Sequence, residues 1–339
     1  MLRRTLTLVA FLAISLAALA QNQRHFTFHY GFTVKNVPAG QSVRIWFPLA
    51  HSDPYQTVTV KTKDGELNLR QTEDGEYGNV MLFAEEGKAS HSDYKFSVDY
   101  DVVRQEHVVL VNGKLAPSAQ PEKVPQLKLA RFLQSDRLVP ITGLPAQLAV
   151  EQTKSAGTEL EKARAIYDYV FTTMRYDKSG TGWGHGDTLW ACDSKRGNCT
   201  DFHSVFMSMA RSQHIPARFE IGFPLPADKH SAEIPGYHCW AEFYTGQTGW
   251  VPIDISEAWK HQEKRDYFFG AHDINRVQFT MGRDVTLNPK QSAPALNYFV
   301  YPYVEVDGKE YPNVSIDFSF RDAEAAPPST SAAATQSGR

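Results

Sequence analysis

The chain reads as an α+β architecture preceded by a β-sandwich-like N-terminal domain, and three observations predict this. Aromatic and β-branched residues alternate with polar ones between His25 and Val102. Two amphipathic helical stretches follow between Thr158 and Ala210, and alternating strands run from Ala217 to Ile255. Helix followed by several antiparallel strands is an α+β order. With 339 residues, 42% of them hydrophobic, the chain can bury a full core and has the length of two domains.

Residues 1–20 have the layout of an export signal. Arg3 and Arg4 supply the positive start, Leu6 to Leu19 an apolar core too short to span a bilayer and stay, and Ala18-Leu19-Ala20 a small-residue cleavage site. Arg3-Arg4 matches a twin-arginine signal only faintly, because the flanking residues fit it poorly. No later stretch is apolar for long enough to cross a membrane, so the mature chain is expected to be exported, periplasmic or secreted, without an integral span. The formal net charge is −3, and loss of Arg3 and Arg4 makes it more negative by two. Such a balance offers no electrostatic footprint for nucleic acid.

Phe26, Phe28, Tyr30, Phe32 and Val34 alternate with polar or small residues, the period of a half-buried strand. Val43, Ile45, Phe47 and Leu49 repeat the pattern, as do Phe96, Val98, Tyr100 and Val102. Asp64-Gly65, Asp74-Gly75 and Glu86-Gly87 supply turn signals between them. Residues 21–115 are therefore expected to be an antiparallel sandwich with a packing or docking role. The stretch Ala116 to Pro125 marks the passage to a second domain over 116–275.

There Thr158-Glu159-Leu160-Glu161 has the spacing of a capping box, followed by apolar residues at helical intervals from Ala163 to Met174. Residues 177–198 are rich in Gly and polar residues, a loop. Phe202, Val205, Phe206, Met209 and Ala210 fit one face of a helix that stops before Ile215-Pro216. Residues 276–320 read as an irregular β extension, and 321–339 as a disordered tail of Ala, Pro, Ser, Thr and Gln.

The chemistry concentrates in three residues. Cys199 opens its helix behind Asn198, a plausible N-cap, where the dipole and unpaired N–H groups favour a thiolate and can face an oxyanion. On the strand Tyr237 to Tyr244, His238 shares a face with Trp240 and Glu242, while Cys239, Ala241 and Phe243 share the other, core-facing side. Asp254 follows Trp250-Val251-Pro252-Ile253, far enough on for the strand to turn and return beside the first. Taken singly, an inert buried thiol, a structural histidine and a turn aspartate are the plain alternatives. Together they supply a nucleophile, a base and an orienting acid.

Gly197-Asn198-Cys199-Thr200-Asp201-Phe202, Ile215-Pro216-Ala217-Arg218, Tyr237-His238-Cys239-Trp240-Ala241-Glu242 and Gly249-Trp250-Val251-Pro252-Ile253-Asp254 together resemble the transglutaminase-like domain of bacterial proteins, over about residues 125–275. The resemblance implies a papain-like transglutaminase core, a Cys-bearing helix packed on an antiparallel sheet. It implies Cys199 as nucleophile, His238 as general base and acid, and Asp254 as orienter. It also implies an upstream side chain that helps hold the oxyanion, for which Tyr176 comes first by position and Trp183 second. Calcium is not carried over, because the chain has no loop of spaced acidic ligands.

No cofactor and no metal are expected. His185, Cys192, Cys199, His203, His238 and Cys239 could offer zinc ligands, but they lack paired Cys-x-x-Cys or His-x-x-x-His spacing. His203, one helical turn past Cys199, is expected to line the cleft or cap a neighbouring group. Three cysteines allow at most one intrachain disulfide, and Cys192 with Cys239 is the pair that would leave Cys199 free. The expected function is thiol acyl transfer or hydrolysis on glutamine or other amide bonds of a protein or peptide. A non-catalytic peptide-binding module is the alternative.

Overall fold

A computed structural model of the chain describes residues 22–323. The export-signal residues and most of the expected tail lie outside that range. Among the described residues no helix is long and apolar enough to cross a membrane.

Six strands open the chain: β1 (Gln23–Val34), β2 (Val43–Pro48), β3 (Gln56–Gly65), β4 (Arg70–Glu73), β5 (Val80–Glu86) and β6 (Tyr94–Gln105). Two of the expected turns fall at strand ends or between strands. Asp74 accepts the Glu76 and Tyr77 N–H groups at 2.8 and 2.7 Å, and β5 ends at Glu86. Asp64-Gly65 instead closes β3, which continues past a bulge at Val60/Thr62 and stays paired with β6. The helices are α1 (Leu144–Thr153), α2 (Glu159–Thr173), α3 (Thr188–Ser194), α4 (Cys199–Ser212) and α5 (Ile255–Lys260). Around them run β7 (Ala217–Pro224), β8 (His238–Thr245), β9 (Gly249–Ile253), β10 (Arg276–Met281), β11 (Tyr303–Val306) and β12 (Val314–Asp322).

The strands form two five-stranded sheets and a four-stranded one. The first has the order β12-β1-β6-β3, with Ser231–Glu233 beyond β12; the second has β11-β2-β5-β4, with Lys309–Glu310 beyond β11. In β1 the five alternating residues from Phe26 to Val34 are all buried, and they meet the second sheet through contacts such as Phe32 with Phe47 at 4.9 Å. The region after residue 275 is thus not a separate extension. Arg276–Met281 joins the four-stranded sheet β9-β8-β7-β10, while β11 and β12 complete the two N-terminal sheets. Strand β12 runs through Arg321 and Asp322, where the tail was expected to begin, and Asp322 is tied to Arg24 at 2.8 Å. An edge left unpaired would expose a row of backbone donors and acceptors, and β12 covers that edge of β1.

Helix α4 lies on the four-stranded sheet, held by α1, α2 and α3 as well as by β8. Every residue from Cys199 to Arg211 is buried. The one-faced amphipathic helix expected from the sequence is therefore wrapped on all sides, and its polar residues find internal partners. Arg211, for example, bonds Asp136 at 2.6 Å and the Ala217 carbonyl at 3.0 Å. The capping box at Thr158 is formed, with Thr158 and Glu161 each accepting the other's backbone N–H.

The N-terminal sandwich and the four-stranded sheet share one continuous core. Phe28 of β1 stacks on Phe223 of β7 at 5.2 Å and meets Phe279 of β10 at 5.7 Å. Phe28→Ala is therefore expected to cost about 3–5 kcal/mol. Guanidinium unfolding followed by both fluorescence and far-ultraviolet circular dichroism should show one shifted transition. Two separate transitions, with only the sandwich destabilised, would contradict the shared core.

Candidate active site

Backbone constraints place Cys199. Asn198 caps α4, its side chain accepting the Thr200 N–H at 2.9 Å, and Asp201 accepts the Asn198 N–H at 2.9 Å in return. Asp201 also accepts the N–H groups of Gly184 at 2.7 Å and Gly186 at 2.9 Å, so one buried carboxylate ties the preceding loop to the helix start. Gly197 is required here: its φ is 148°, and a Cβ would lie 2.2 Å from Asp201 Oδ2. The Cys199 side chain is then presented at the helix N-terminus, 2% exposed.

His238 begins β8, and the pairing of Ala241 with Ile253 brings β9 back beside it. Asp254, just past the end of β9, falls on the same face as His238. Its Oδ2 lies 2.7 Å from His238 Nε2 and 3.1 Å from Arg276 Nη1. Its Oδ1 accepts the Glu257 N–H and the Ser256 hydroxyl, both at 3.0 Å, which makes Asp254 the N-cap of α5. With Nε2 committed to Asp254, the His238 ring is also close enough to the Cys199 side chain for the two to shift each other's titration. The structure thus brings Cys199, His238 and Asp254 together in one buried site, with His238 hydrogen-bonded to Asp254.

The electrostatics follow from this arrangement. Burial pushes the Asp254 carboxyl up, but the His238 charge and hydrogen bond, with Arg276, outweigh it and hold the group well below the usual carboxylate range. Burial pushes the His238 imidazole down, yet Asp254 and Cys199 raise it to about 10. Burial likewise pushes the Cys199 thiol up, and hydrogen bonds from Cys239 and His238 together with the His238 charge bring it well below the usual thiol range. Both shifts favour a thiolate–imidazolium pair over a neutral thiol beside a neutral imidazole.

The remaining site residues fall into place differently. His203 Nε2 accepts the Ile255 N–H at 3.1 Å, and burial keeps the imidazole neutral. It caps α5 next to Asp254, as the expectation of a capping role allowed. The Trp183 indole N–H donates to the Gly180 carbonyl at 3.1 Å, which spends the donor an oxyanion would need. Tyr176 lies beside the site under Lys260, whose Nζ is 4.2 Å from the ring centroid; burial and the Cys199 charge keep its hydroxyl protonated. Strand alternation turns Cys239 to the helix side of the sheet, but that side is where Cys199 sits, and the two thiols shift each other's titration. Cys192 packs elsewhere, against Tyr169, Met174 and Val205, and all three cysteines are free thiols. The Cys192–Cys239 bridge raised by the sequence is not formed. His185 lies at the loop, its carbonyl accepting from Arg283 at 3.0 Å.

Sequence reasoning missed Arg276, Tyr237 and the loop-tying role of Asp201. Asp201 had a readable signal, an acid three residues after the Asn198 cap. Tyr237 bonds Asn198 at 3.0 Å and Thr200 at 2.9 Å, across a sequence gap that leaves no local pattern.

Residues 146–255 match the sequence profile of the Transglutaminase-like superfamily. Within that range fall most of α1, all of α2 to α4 and β7 to β9, and the residues Cys199, His238 and Asp254. The chain is also similar to an uncharacterized protein of Haemophilus influenzae, 29% identical in an alignment 318 residues long that covers 84% of this chain and 85% of that one. Among solved structures it is similar to one described as a candidate cysteine protease from Cytophaga hutchinsonii. The TM-score is 0.59 and the identity 16%, covering 90% of this chain and 93% of that one, a likeness of fold that includes the N-terminal sheets.

The ion pair has a definite pH signature. The thiolate exists above the lowered Cys199 value and the imidazolium below about 10, so the pair is populated between the two. Alkylation of Cys199 by iodoacetamide should remain fast well below the ordinary thiol value of about 8.5. A rate that rises only through about pH 8.5, as for a free thiol, would contradict the pair.

Proposed function

We propose that this protein is an exported thiol enzyme that cleaves or transfers amide-linked acyl groups of proteins or peptides through a thioester on Cys199. The observation that carries this reading is the His238 imidazole held between Asp254 at 2.7 Å and the Cys199 side chain at a helix N-terminus. That is the arrangement acyl transfer needs. Export rests on the leader-like residues 1–20.

In this mechanism the Cys199 thiolate attacks the amide carbon, and the carbonyl π electrons move to oxygen. The Cys199 backbone N–H stabilises that oxyanion, with the protonated Tyr176 hydroxyl as the second donor. His238 gives its proton to the leaving nitrogen as the C–N bond breaks, which releases ammonia or an amine and leaves the thioester. Water or an acceptor amine then attacks the thioester, His238 takes a proton from it, and the thiolate departs. Asp254 holds the ring in one orientation and supports the imidazolium throughout.

Glutamine peptides, assayed for ammonia release with and without an amine acceptor, test the proposal. Cys199→Ala and His238→Ala should each abolish turnover with the fold retained. Asp254→Asn, which keeps the acceptor for the α5 cap, should lower kcat by about 10⁴-fold yet leave more residual rate than either. Undiminished turnover in Cys199→Ala would place the chemistry on another residue.

A further inference from the structure

Away from Cys199, the other face of β8 carries a second cluster of buried ionisable groups. His107 is 4% exposed, Glu242 2% and His272 not at all. His107 and His272 are direct partners in a two-residue antiparallel ladder between His107–Val108 and Ala271–His272. One donor atom from each of the three side chains lies within 4.8 Å of the other two.

The details suit a bound cation better than a closed hydrogen-bond network. His107 Nδ1 is 3.4 Å from Glu242 Oε1. That is long for a charge-assisted hydrogen bond, about 2.7–2.9 Å, but matches two ligands about 2.0–2.1 Å from a tetrahedral zinc ion, which are about 3.4 Å apart. His272 Nε2 lies 3.1 Å from the Ile253 carbonyl, which can only accept, so Nε2 carries the ring proton. Its Nδ1 lone pair is then buried with no hydrogen-bond partner. A ring N–H fixed on a backbone carbonyl, with the other nitrogen free, is the usual outer-shell arrangement of a metal-bound histidine.

We propose that His107, Glu242 and His272 form a divalent metal site, with Zn²⁺ the ion that two imidazoles and one carboxylate suit best. The neighbouring arginines are largely paired. Arg218 is shared between Glu242 Oε2 at 2.5 Å and Glu220 at 3.1 Å, which leaves Glu242 Oε1 for the ion. Arg276 is held by Asp254 and Asp273. His107 and Glu242 also line a cavity of about 480 Å³ that Arg104 shares, so a fourth ligand, water or an anionic group, has room and a cationic neighbour. The ion would join the end of the N-terminal domain to β8 and to the segment after α5. Through His272 and the Ile253 carbonyl it would steady the backbone next to Asp254. Its role is structural, separate from thiol chemistry. No local motif marks it, because the three ligands come from the widely separated positions 107, 242 and 272.

Equilibrium dialysis of the chelator-treated full chain against Zn²⁺, and optical titration with Co²⁺, test the site. One equivalent of Zn²⁺ should bind, and the Co²⁺ complex should lack a thiolate-to-metal band in the near ultraviolet. His272→Gln and Glu242→Gln should each weaken binding by at least about tenfold, whereas Cys199→Ala should not. The Co²⁺ spectrum of the unaltered chain decides even where a variant fails to fold. No saturable binding, a thiolate band, or N/O-type binding retained in folded His272→Gln and Glu242→Gln would each overturn the proposal.

Discussion

The Asp254 carboxylate is the constraint on which the site depends. Buried and ionised, it caps α5 with one oxygen and holds His238 and Arg276 with the other. A carboxylate in such a place survives only because cationic and hydrogen-bonding partners surround it, and removing one member of such a buried set typically costs about 3–5 kcal/mol. The same group thus fixes the helix, the imidazole and the neighbouring strand. The pairing of β8 with β9 delivers it to the right face, and His203 reinforces it by capping the adjacent Ile255 N–H.

The burial that makes this set costly to break also makes it potent. With Cys199, His238 and Asp254 all withdrawn from water, the attraction between thiolate and imidazolium is screened little, and the charged pair outweighs the desolvation that opposes it. The N-terminal sandwich contributes by packing against the four-stranded sheet. Phe28 reaches Phe223 and Phe279, so the two units share apolar packing. Strands β11 and β12 return to the sandwich after the four-stranded sheet is complete, which fastens the last described strands to the first.

Local patterns carried much of this in the sequence. The capping residues Thr158 and Asn198 and the alternation in β1 and β6 depend on neighbours a few residues apart, where period and spacing are informative. What escaped depends on long-range placement. Arg276 reaches Asp254 from another strand, and β12 finds the edge of β1 across nearly the whole chain. Cys239 was turned to the correct side of β8, but alternation says nothing about which helix residue waits there. Helix α4 shows an apolar stripe in sequence and full burial in structure, since polar residues such as Arg211 can be buried when partners arrive from distant segments.

The protonation state of His238 is the most direct measure of the central claim that Asp254 and Cys199 hold a buried thiolate–imidazolium pair. Nitrogen NMR of the ¹⁵N-histidine-labelled protein, with His238 assigned by difference from His238→Ala, reads it at about pH 8, where an ordinary histidine is neutral. Both ring nitrogens of His238 should be protonated there, and Cys199→Ala should lower the pH at which the proton is lost. A neutral His238 ring at that pH in the unaltered protein would contradict the pair and the chemistry built on it.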